Sequence, residues 1–188
     1  MTTAVFIQGP PRSGKDTLGQ MLTVALRLQG LDARVYKFAD PICDWSESFF
    51  GVSCRQDGLK DTKLEEMDFL SPREAAIAFS ERAMKPLFGH DIFGRVLARK
   101  IGHQSPDVAL ITDSGFLQEA HPVCSSVGLD MCLAIQLRRP GKTFEGDSRS
   151  YWDMPYPGIL MEVDNDGSIE SLQNNIPSVV DAIHDIRN

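Results

Sequence analysis

The stretch GPPRSGKDT at residues 9–17 decides the fold of this chain. Its two glycines and its lysine have the G-x-x-x-x-G-K spacing of a phosphate-binding loop, with Asp16 where Ser or Thr is expected. An apolar run at residues 4–7 precedes the loop, and a helical pattern from about Lys15 follows it. Glycines let such a loop curl until its backbone N–H groups face an anion, and the helix N-terminus adds a positive dipole. The sequence therefore predicts a strand, a phosphate-binding loop and a helix in succession.

Outside this loop, strand-like and helix-like segments alternate, which is typical of an α/β fold with a mostly parallel sheet flanked by helices. The apolar runs predict five strands, at about 4–8, 33–38, 108–112, 131–137 and 159–163. Ser71, Pro72 and Glu74 have the order of a capped helix start. Residues 51–70 are predicted to be an irregular insertion and residues 138–158 a mobile lid. A length of 188 residues suits one domain.

Composition limits the partners of the chain. A formal net charge of −7 argues against a general nucleic-acid-binding surface, which needs clustered Lys and Arg. No apolar run is long enough to cross a membrane, and the N-terminus shows no signal peptide. Cys43, Cys54, Cys124 and Cys132 show no C-x-x-C pairing, so we expect reduced thiols in a cytoplasmic protein.

The loop supplies the candidates for binding nucleotide phosphates. Lys15 would place a mobile charge at the β- and γ-phosphates. Asp16 and Asp113, which follows the third predicted strand, are candidate Mg²⁺ ligands, although Asp113 could instead be a turn or cap residue. The residues expected to hold the phosphates are Gly9, Arg12, Ser13, Gly14, Lys15, Asp16 and Thr17.

Further candidates lie near the C-terminal end of the chain. In the predicted lid, Arg138, Arg139 and Arg149 could close over a triphosphate and stabilise the transferring charge, or form an exposed basic loop. Asn165 and Gly167 precede the last helix, where they could contact an adenine or simply form a turn.

The acceptor side is less defined. Asp40 follows the second strand and could take the proton of an attacking hydroxyl, or could cap the helix that begins at Pro41. Some basic residues on the middle helices could hold an acceptor phosphate, and others are expected on solvated faces. These are Arg73, Arg82, Lys85 and Arg95.

The run Gly14–Thr17, with Asp after the lysine, resembles the phage deoxynucleoside monophosphate kinases. The resemblance continues, in the same order and over nearly the whole chain, at 38–42, 71–75, Asp113, 139–141 and 165–168. It implies a P-loop kinase fold and transfer of the γ-phosphate of ATP to a deoxynucleoside 5′-monophosphate, with Mg²⁺.

Two departures from that family leave the acceptor open. No cation follows Asp113 in the run Asp113–Phe116, and Asp40 would repel a phosphate but assist a hydroxyl. The first alternative is a related phage kinase that phosphorylates a hydroxymethyl-pyrimidine (5-hydroxymethyluracil) base flipped out of DNA. The second is a regulatory protein that hydrolyses a nucleotide slowly, against which the lid arginines argue. A homodimer is also left open.

Overall fold

A computed structural model describes residues 1–56, 58–152 and 158–188. Asp57 of the predicted insertion and residues 153–157 of the predicted lid lie outside the described residues. The strands are β1 (Thr3–Gln8), β2 (Ala33–Tyr36), β3 (Val108–Ile111), β4 (Cys132–Arg138) and β5 (Ile159–Asp164). The helices are α1 (Lys15–Leu28), α2 (Asp40–Phe50), α3 (Pro72–Phe79), α4 (Lys85–Phe88), α5 (Ile92–Gln104), α6 (Leu117–Val127) and α7 (Ile169–Arg187).

The five strands form one sheet in the order β2-β3-β1-β4-β5, and every pairing is parallel. β1 is central, and its Phe6 pairs with Ile111 on one side and Ala134 on the other. The predicted α/β fold with a five-stranded parallel sheet is therefore confirmed.

Successive strand residues point to opposite faces of the sheet, and helices cover both faces of its central strands. Phe6 of β1 belongs to the core that α2, α5 and α6 cover. Its neighbours Val5 and Ile7 belong to the core that α1 and α7 cover. Strands buried on both faces read as continuous apolar runs, which is why the sequence predicts them well.

Since all strands run the same way, the segments that follow them meet at one edge of the sheet. These segments are Gly9–Gly14 after β1, Lys37–Ala39 after β2, Thr112–Phe116 after β3, Arg139–Trp152 after β4 and Asn165–Ser168 after β5. The predicted helix starts are also present, with a capping box between Ser71 and Glu74. The sheet thus gathers five loops at a single edge.

The cysteine prediction is wrong for one pair. Cys43 in α2 forms a disulfide with Cys54, and their Cα atoms lie 5.1 Å apart. The chain reverses at Gly51, where φ is 71°, and Ser46 Oγ donates a hydrogen bond to the Val52 carbonyl, which holds the returning segment against α2. Cys124 and Cys132 are free and buried. Sequence spacing could not show this pairing, because the reversal after α2 creates it.

The predicted insertion, residues 51–70, is largely irregular where it is described, with one short helical turn at Glu65–Met67. None of the helices in the described ranges is both long and apolar enough to span a membrane.

Candidate active site

The loop after β1 requires its two glycines. A Cβ on Gly9 would lie 2.6 Å from Ser13 Oγ and 2.8 Å from the Leu137 carbonyl oxygen. A Cβ on Gly14 would lie 2.8 Å from Asn165 Nδ2, and Gly14 has a φ of 102°, which disfavours any other residue. The motif spacing therefore reflects two places where the loop approaches its neighbours closely.

Lys15 is folded back onto its own loop. Its Nζ donates hydrogen bonds to the carbonyls of Gly9 and Pro10, at 2.7 and 2.8 Å. Burial, together with the nearby charge of Arg149, lowers the pKa of Lys15 to about 8. The carboxylates of Asp16, Asp147 and Asp113 oppose this change. A lysine in this state is ready to exchange neutral carbonyl partners for an anion.

A cavity of about 300 Å³ opens beside this lysine. It is lined by Arg12, Gly14, Lys15, Asp16, Thr17 and Arg139. The loop beneath it contains an orphaned buried group: Ser13 Oγ has no hydrogen-bond partner in the described part of the chain. The orphaned hydroxyl and the glycine cradle fit the phosphates of a nucleotide.

The loops after β4 and β5 brace the phosphate-binding loop. Asn165 is buried, and its Nδ2 donates a hydrogen bond of 2.8 Å to the Ser13 carbonyl, while its Oδ1 accepts from Gly167 N at 2.9 Å. Arg139 Nη1 donates a hydrogen bond to the Arg12 carbonyl at 3.1 Å. A Cβ on Gly167 would lie 3.1 Å from Arg139 Nη2. Asn165 and Gly167 therefore support the loop from behind, whereas Arg139 lies along its rim.

Asp16 lies between two partners from neighbouring strands. Thr112 Oγ1 donates to Asp16 Oδ1 at 2.7 Å, and Lys37 Nζ lies 2.8 Å from the same oxygen. Burial raises the pKa of Asp16, but the hydrogen bonds from Lys37 and Thr112 outweigh it, so the net pKa is lowered. α1 can approach β3 this closely because Gly19, one turn after Asp16, leaves room for the Thr112 methyl group.

Asp113 lies at the end of β3 and faces the segment after β2. Its two carboxylate oxygens accept hydrogen bonds from the backbone N–H groups of Phe38 and Ala39, at 2.9 and 3.0 Å. Burial raises the pKa of Asp113, and those two N–H groups only partly counteract it. Asp113 thus joins two strand ends and places a carboxylate close to Lys15.

Arg149 is a second arginine of the predicted lid that the structure brings to this site. Asp147 holds it through two hydrogen bonds, Nε to Oδ1 at 2.8 Å and Nη2 to Oδ2 at 2.6 Å. Its aliphatic part packs on Gly115, where a Cβ would overlap it. Arg149 therefore covers the loop after β3 while its charge acts on Lys15.

Asp40 is engaged in ion pairs. Arg55 Nη2 and Nε reach Asp40 Oδ1 at 3.1 and 3.2 Å, and Lys100 Nζ lies 3.8 Å from Oδ2. Arg55 also pairs with Asp44 at 2.7 Å. Asp40 is therefore an ion-paired carboxylate in the first turn of α2.

The remaining predicted residues are dispersed. Arg73 pairs with Asp61 and Arg95 with Asp91, both on the surface, and Arg82 is exposed. Arg138 pairs with Glu162 at 2.5 Å and lies over the Tyr151 ring. Lys85 is buried, 2.6 Å from Glu81 Oε1 and 4.6 Å from the centre of the Phe116 ring.

Sequence reasoning missed four residues of this site: Lys37, Thr112, Asp147 and Glu119. Lys37 and Thr112 each follow a strand directly, a position that could have singled them out. Glu119 is buried in the first turn of α6, and burial together with the charge of Asp113 raises its pKa to about 8. The sequence of α6 has the pattern of an ordinary surface helix, so nothing in it indicates that Glu119 is buried at this site.

The donor set suits a hard cation. Asp16 and Thr112 offer oxygen ligands 2.7 Å apart beside the phosphate cavity, and Mg²⁺ is commonly held by one or two carboxylates together with substrate phosphates. Within the described residues, no group of three or more His, Cys, Asp and Glu is arranged to hold a metal. The residues present therefore fit Mg²⁺ that arrives with a nucleotide.

No protein-family model and no curated protein sequence matches the chain. Several solved structures resemble it. The APS kinase CysC of Mycobacterium tuberculosis, in complex with AMPPNP and APS, is 14% identical with a TM-score of 0.51, covering 97% of this chain and 98% of its own. Shikimate kinase from Bacteroides thetaiotaomicron is 11% identical over 97% and 98%, with a TM-score of 0.51. A sugar kinase from Janibacter sp. is 12% identical over 99% and 98%, also with a TM-score of 0.51. At these identities the likeness establishes the fold alone, and these three kinases share it.

Proposed function

We propose that this protein is an ATP-dependent kinase that transfers the γ-phosphate of ATP to a deoxynucleoside 5′-monophosphate. One observation carries the proposal: Lys15 and Arg149 converge beside the loop, where burial lowers the pKa of the lysine and the guanidinium lowers it further. Two cations held together in a partly buried cleft favour an anion between them. A polyphosphate is the anion that a loop of this spacing binds.

The donor side follows from the loop. Its backbone N–H groups and Lys15 would hold the β- and γ-phosphates, with Lys15 exchanging the Gly9 and Pro10 carbonyls for phosphate oxygens. Asp16 and Thr112 would hold Mg²⁺, which supplies charge neutralisation at these phosphates. Arg149, fixed by Asp147, would stabilise charge on the group being transferred. The AMPPNP complex of the M. tuberculosis APS kinase supports this use of the fold.

The state of Asp40 favours a phosphate acceptor over an alcohol. An alcohol needs a base to take its proton, but Arg55 and Lys100 offset the charge of Asp40. A monophosphate is already ionised, so one of its oxygens can attack the γ-phosphorus without a base. The new P–O bond forms as the bond to the bridging oxygen of the β-phosphate breaks, and ADP leaves. The resemblance of residues 14–17 and 38–42 to the phage kinases supports a deoxynucleotide.

An acceptor panel tests the proposal. The protein is given ATP labelled at the γ-phosphate, with each deoxynucleoside monophosphate, plain duplex DNA, duplex DNA containing 5-hydroxymethyluracil, or no acceptor. We expect label in a deoxynucleoside diphosphate. We expect the Lys15→Met variant to lose transfer by about 10²-fold or more, the effect of removing one charge-stabilising donor. The exposed Lys63→Met variant controls for loss of a lysine elsewhere and should keep its activity.

Two outcomes contradict the proposal. Label that enters only the hydroxymethylated DNA would establish the alcohol kinase instead. Label that is released only as inorganic phosphate would indicate a hydrolase.

A further inference from the structure

A second cavity, of about 330 Å³, lies between the start of α6 and the loop after β4. Gly115–Gln118 line one side, and Ser148 and Ser150–Trp152 line the other. This volume is at the small end of the range for small-molecule sites. None of the phosphate-binding residues lines it.

The cavity adjoins the place where phosphate would be transferred. Arg149 separates the two: its stem packs on Gly115 at the cavity wall, and its charge acts on Lys15 in the phosphate-binding loop. Gln8, which binds the backbone of the cavity residue Trp152, directly precedes Gly9. A ligand in this cavity would therefore lie next to the transferring group.

The walls suit a flat ring with polar edges. Phe116, Tyr151 and Trp152 contribute aromatic rings, and Ser148, Ser150 and Gln118 contribute hydroxyl and amide groups. Two of the rings are fixed by their neighbours: Trp152 packs on Phe6 with ring centres 5.4 Å apart, and Tyr151 OH donates to the Leu137 carbonyl at 2.8 Å. Stacking on aromatic side chains is a common way to bind a nucleobase.

One wall residue has a buried donor without an acceptor. Trp152 Nε1 is unpartnered within the described residues, and so is Nε2 of Gln8, which does not line the cavity. The orientation of the Gln8 amide is defined, because its Oε1 accepts from the backbone N–H of Trp152 at 2.8 Å, and only an oxygen can do so. Gln136 Nε2 fixes the same backbone by donating to the Trp152 carbonyl at 3.2 Å. A buried donor calls for an acceptor, and the ring carbonyl of a base can supply one.

We infer that this cavity is the base subsite for the acceptor nucleotide and that it selects bases with ring carbonyl groups. The inference rests on the proposed function, since it names the substrate class of that kinase. Thymine, cytosine and guanine offer ring carbonyls that can accept from Trp152 Nε1, and adenine offers none. We therefore expect thymidine monophosphate to bind more tightly than deoxyadenosine monophosphate.

The two tryptophans of the chain allow a direct binding test. Trp45 packs on Phe79 and does not line the cavity, so the Trp45→Phe variant leaves Trp152 as the single fluorescent tryptophan. Titration with thymidine monophosphate should change its emission saturably, with at least about tenfold tighter binding than for deoxyadenosine monophosphate, the difference that one hydrogen bond provides.

The Trp152→Phe variant tests the indole donor itself. It should raise KM for thymidine monophosphate about tenfold, leave KM for deoxyadenosine monophosphate within about twofold, and leave ATP affinity unchanged. Trp45→Phe, carrying the same substitution elsewhere, should change none of these constants. If Trp152→Phe fails to fold, the fluorescence titration still decides the question.

The inference is overturned if thymidine monophosphate is phosphorylated while Trp152 emission stays constant, or if Trp152→Phe keeps the wild-type preference. Both results would leave the proposed kinase activity intact. Failure of that activity is a separate result, the absence of transfer to every deoxynucleoside monophosphate in the panel.

Discussion

The titration of Lys15 gives the most quantitative prediction. Burial, assisted by Arg149, lowers the pKa of Lys15 to about 8 in the free protein. Its protonated share is then about nine-tenths at pH 7 and about one-tenth at pH 9. If only the ammonium form binds the nucleotide phosphates, ATP should bind about tenfold more weakly at pH 9 than at pH 7, a loss of about 1.4 kcal/mol.

A rise in pH should act in opposite directions on ATP affinity and on the stability of the fold. The folded pKa of Lys15 lies below its unfolded value of 10.5, so the charged amine disfavours the folded state. That cost falls as the pH rises from about 8 to 10.5. Higher pH should therefore weaken ATP binding while it slightly stabilises the fold.

The assay is the dissociation constant of ATP with Mg²⁺, measured by calorimetry at half-unit steps from pH 7 to pH 9. The control is Lys15→Arg, which keeps its charge across this range. This control also accounts for Glu119, whose pKa of about 8 places its titration in the same window. An unchanged wild-type affinity, or an equal fall in the Lys15→Arg variant, would refute the assignment.

Three further predictions concern the scaffold of the site. Gly94→Ala should lower the free energy of unfolding, measured by urea titration, by about 1–3 kcal/mol, because the new Cβ would overlap the backbone of α6. The control is Gly102→Ala, on the same helix with open space around it, which should be neutral or stabilising. Asn165→Ala should cost about 1–3 kcal/mol and weaken ATP binding measured by calorimetry, because it removes the brace on the phosphate-binding loop; unaltered affinity would argue against that role. Reducing the Cys43–Cys54 disulfide, which joins residues 11 apart, should cost about 2–3 kcal/mol in thermal unfolding, and thiol titration of the unreduced, denatured protein should find two free thiols; finding four would contradict the pairing.

The sequence predicts the features of this protein that depend on local patterns. The strands are continuous apolar runs because both faces of the sheet are covered, and the capping box at Ser71 needs only its own four residues. The phosphate-binding loop combines a short motif with the strand and helix around it. Each of these can be derived from neighbouring residues alone.

The features that escaped prediction join residues far apart in the chain. Trp152 and Gln8 are separated by 144 positions, and Thr112 and Asp16 by 96. Arg55 reaches Asp40 because the chain reverses after α2, and no pattern in residues 51–70 predicts that contact. The proposed acceptor side of the site consists mainly of such long-range contacts, which is why the sequence predicts the phosphate-binding loop in more detail than the acceptor side.

The central claim is that this cleft moves a phosphoryl group from ATP to a deoxynucleoside monophosphate. Phosphorus NMR of the wild-type protein with ATP, Mg²⁺ and thymidine monophosphate tests it most directly, because it follows every phosphate in one sample. We predict that ADP and thymidine diphosphate form in equal amounts as ATP disappears. Formation of ADP with free phosphate and no thymidine diphosphate, or no loss of ATP, would contradict the claim.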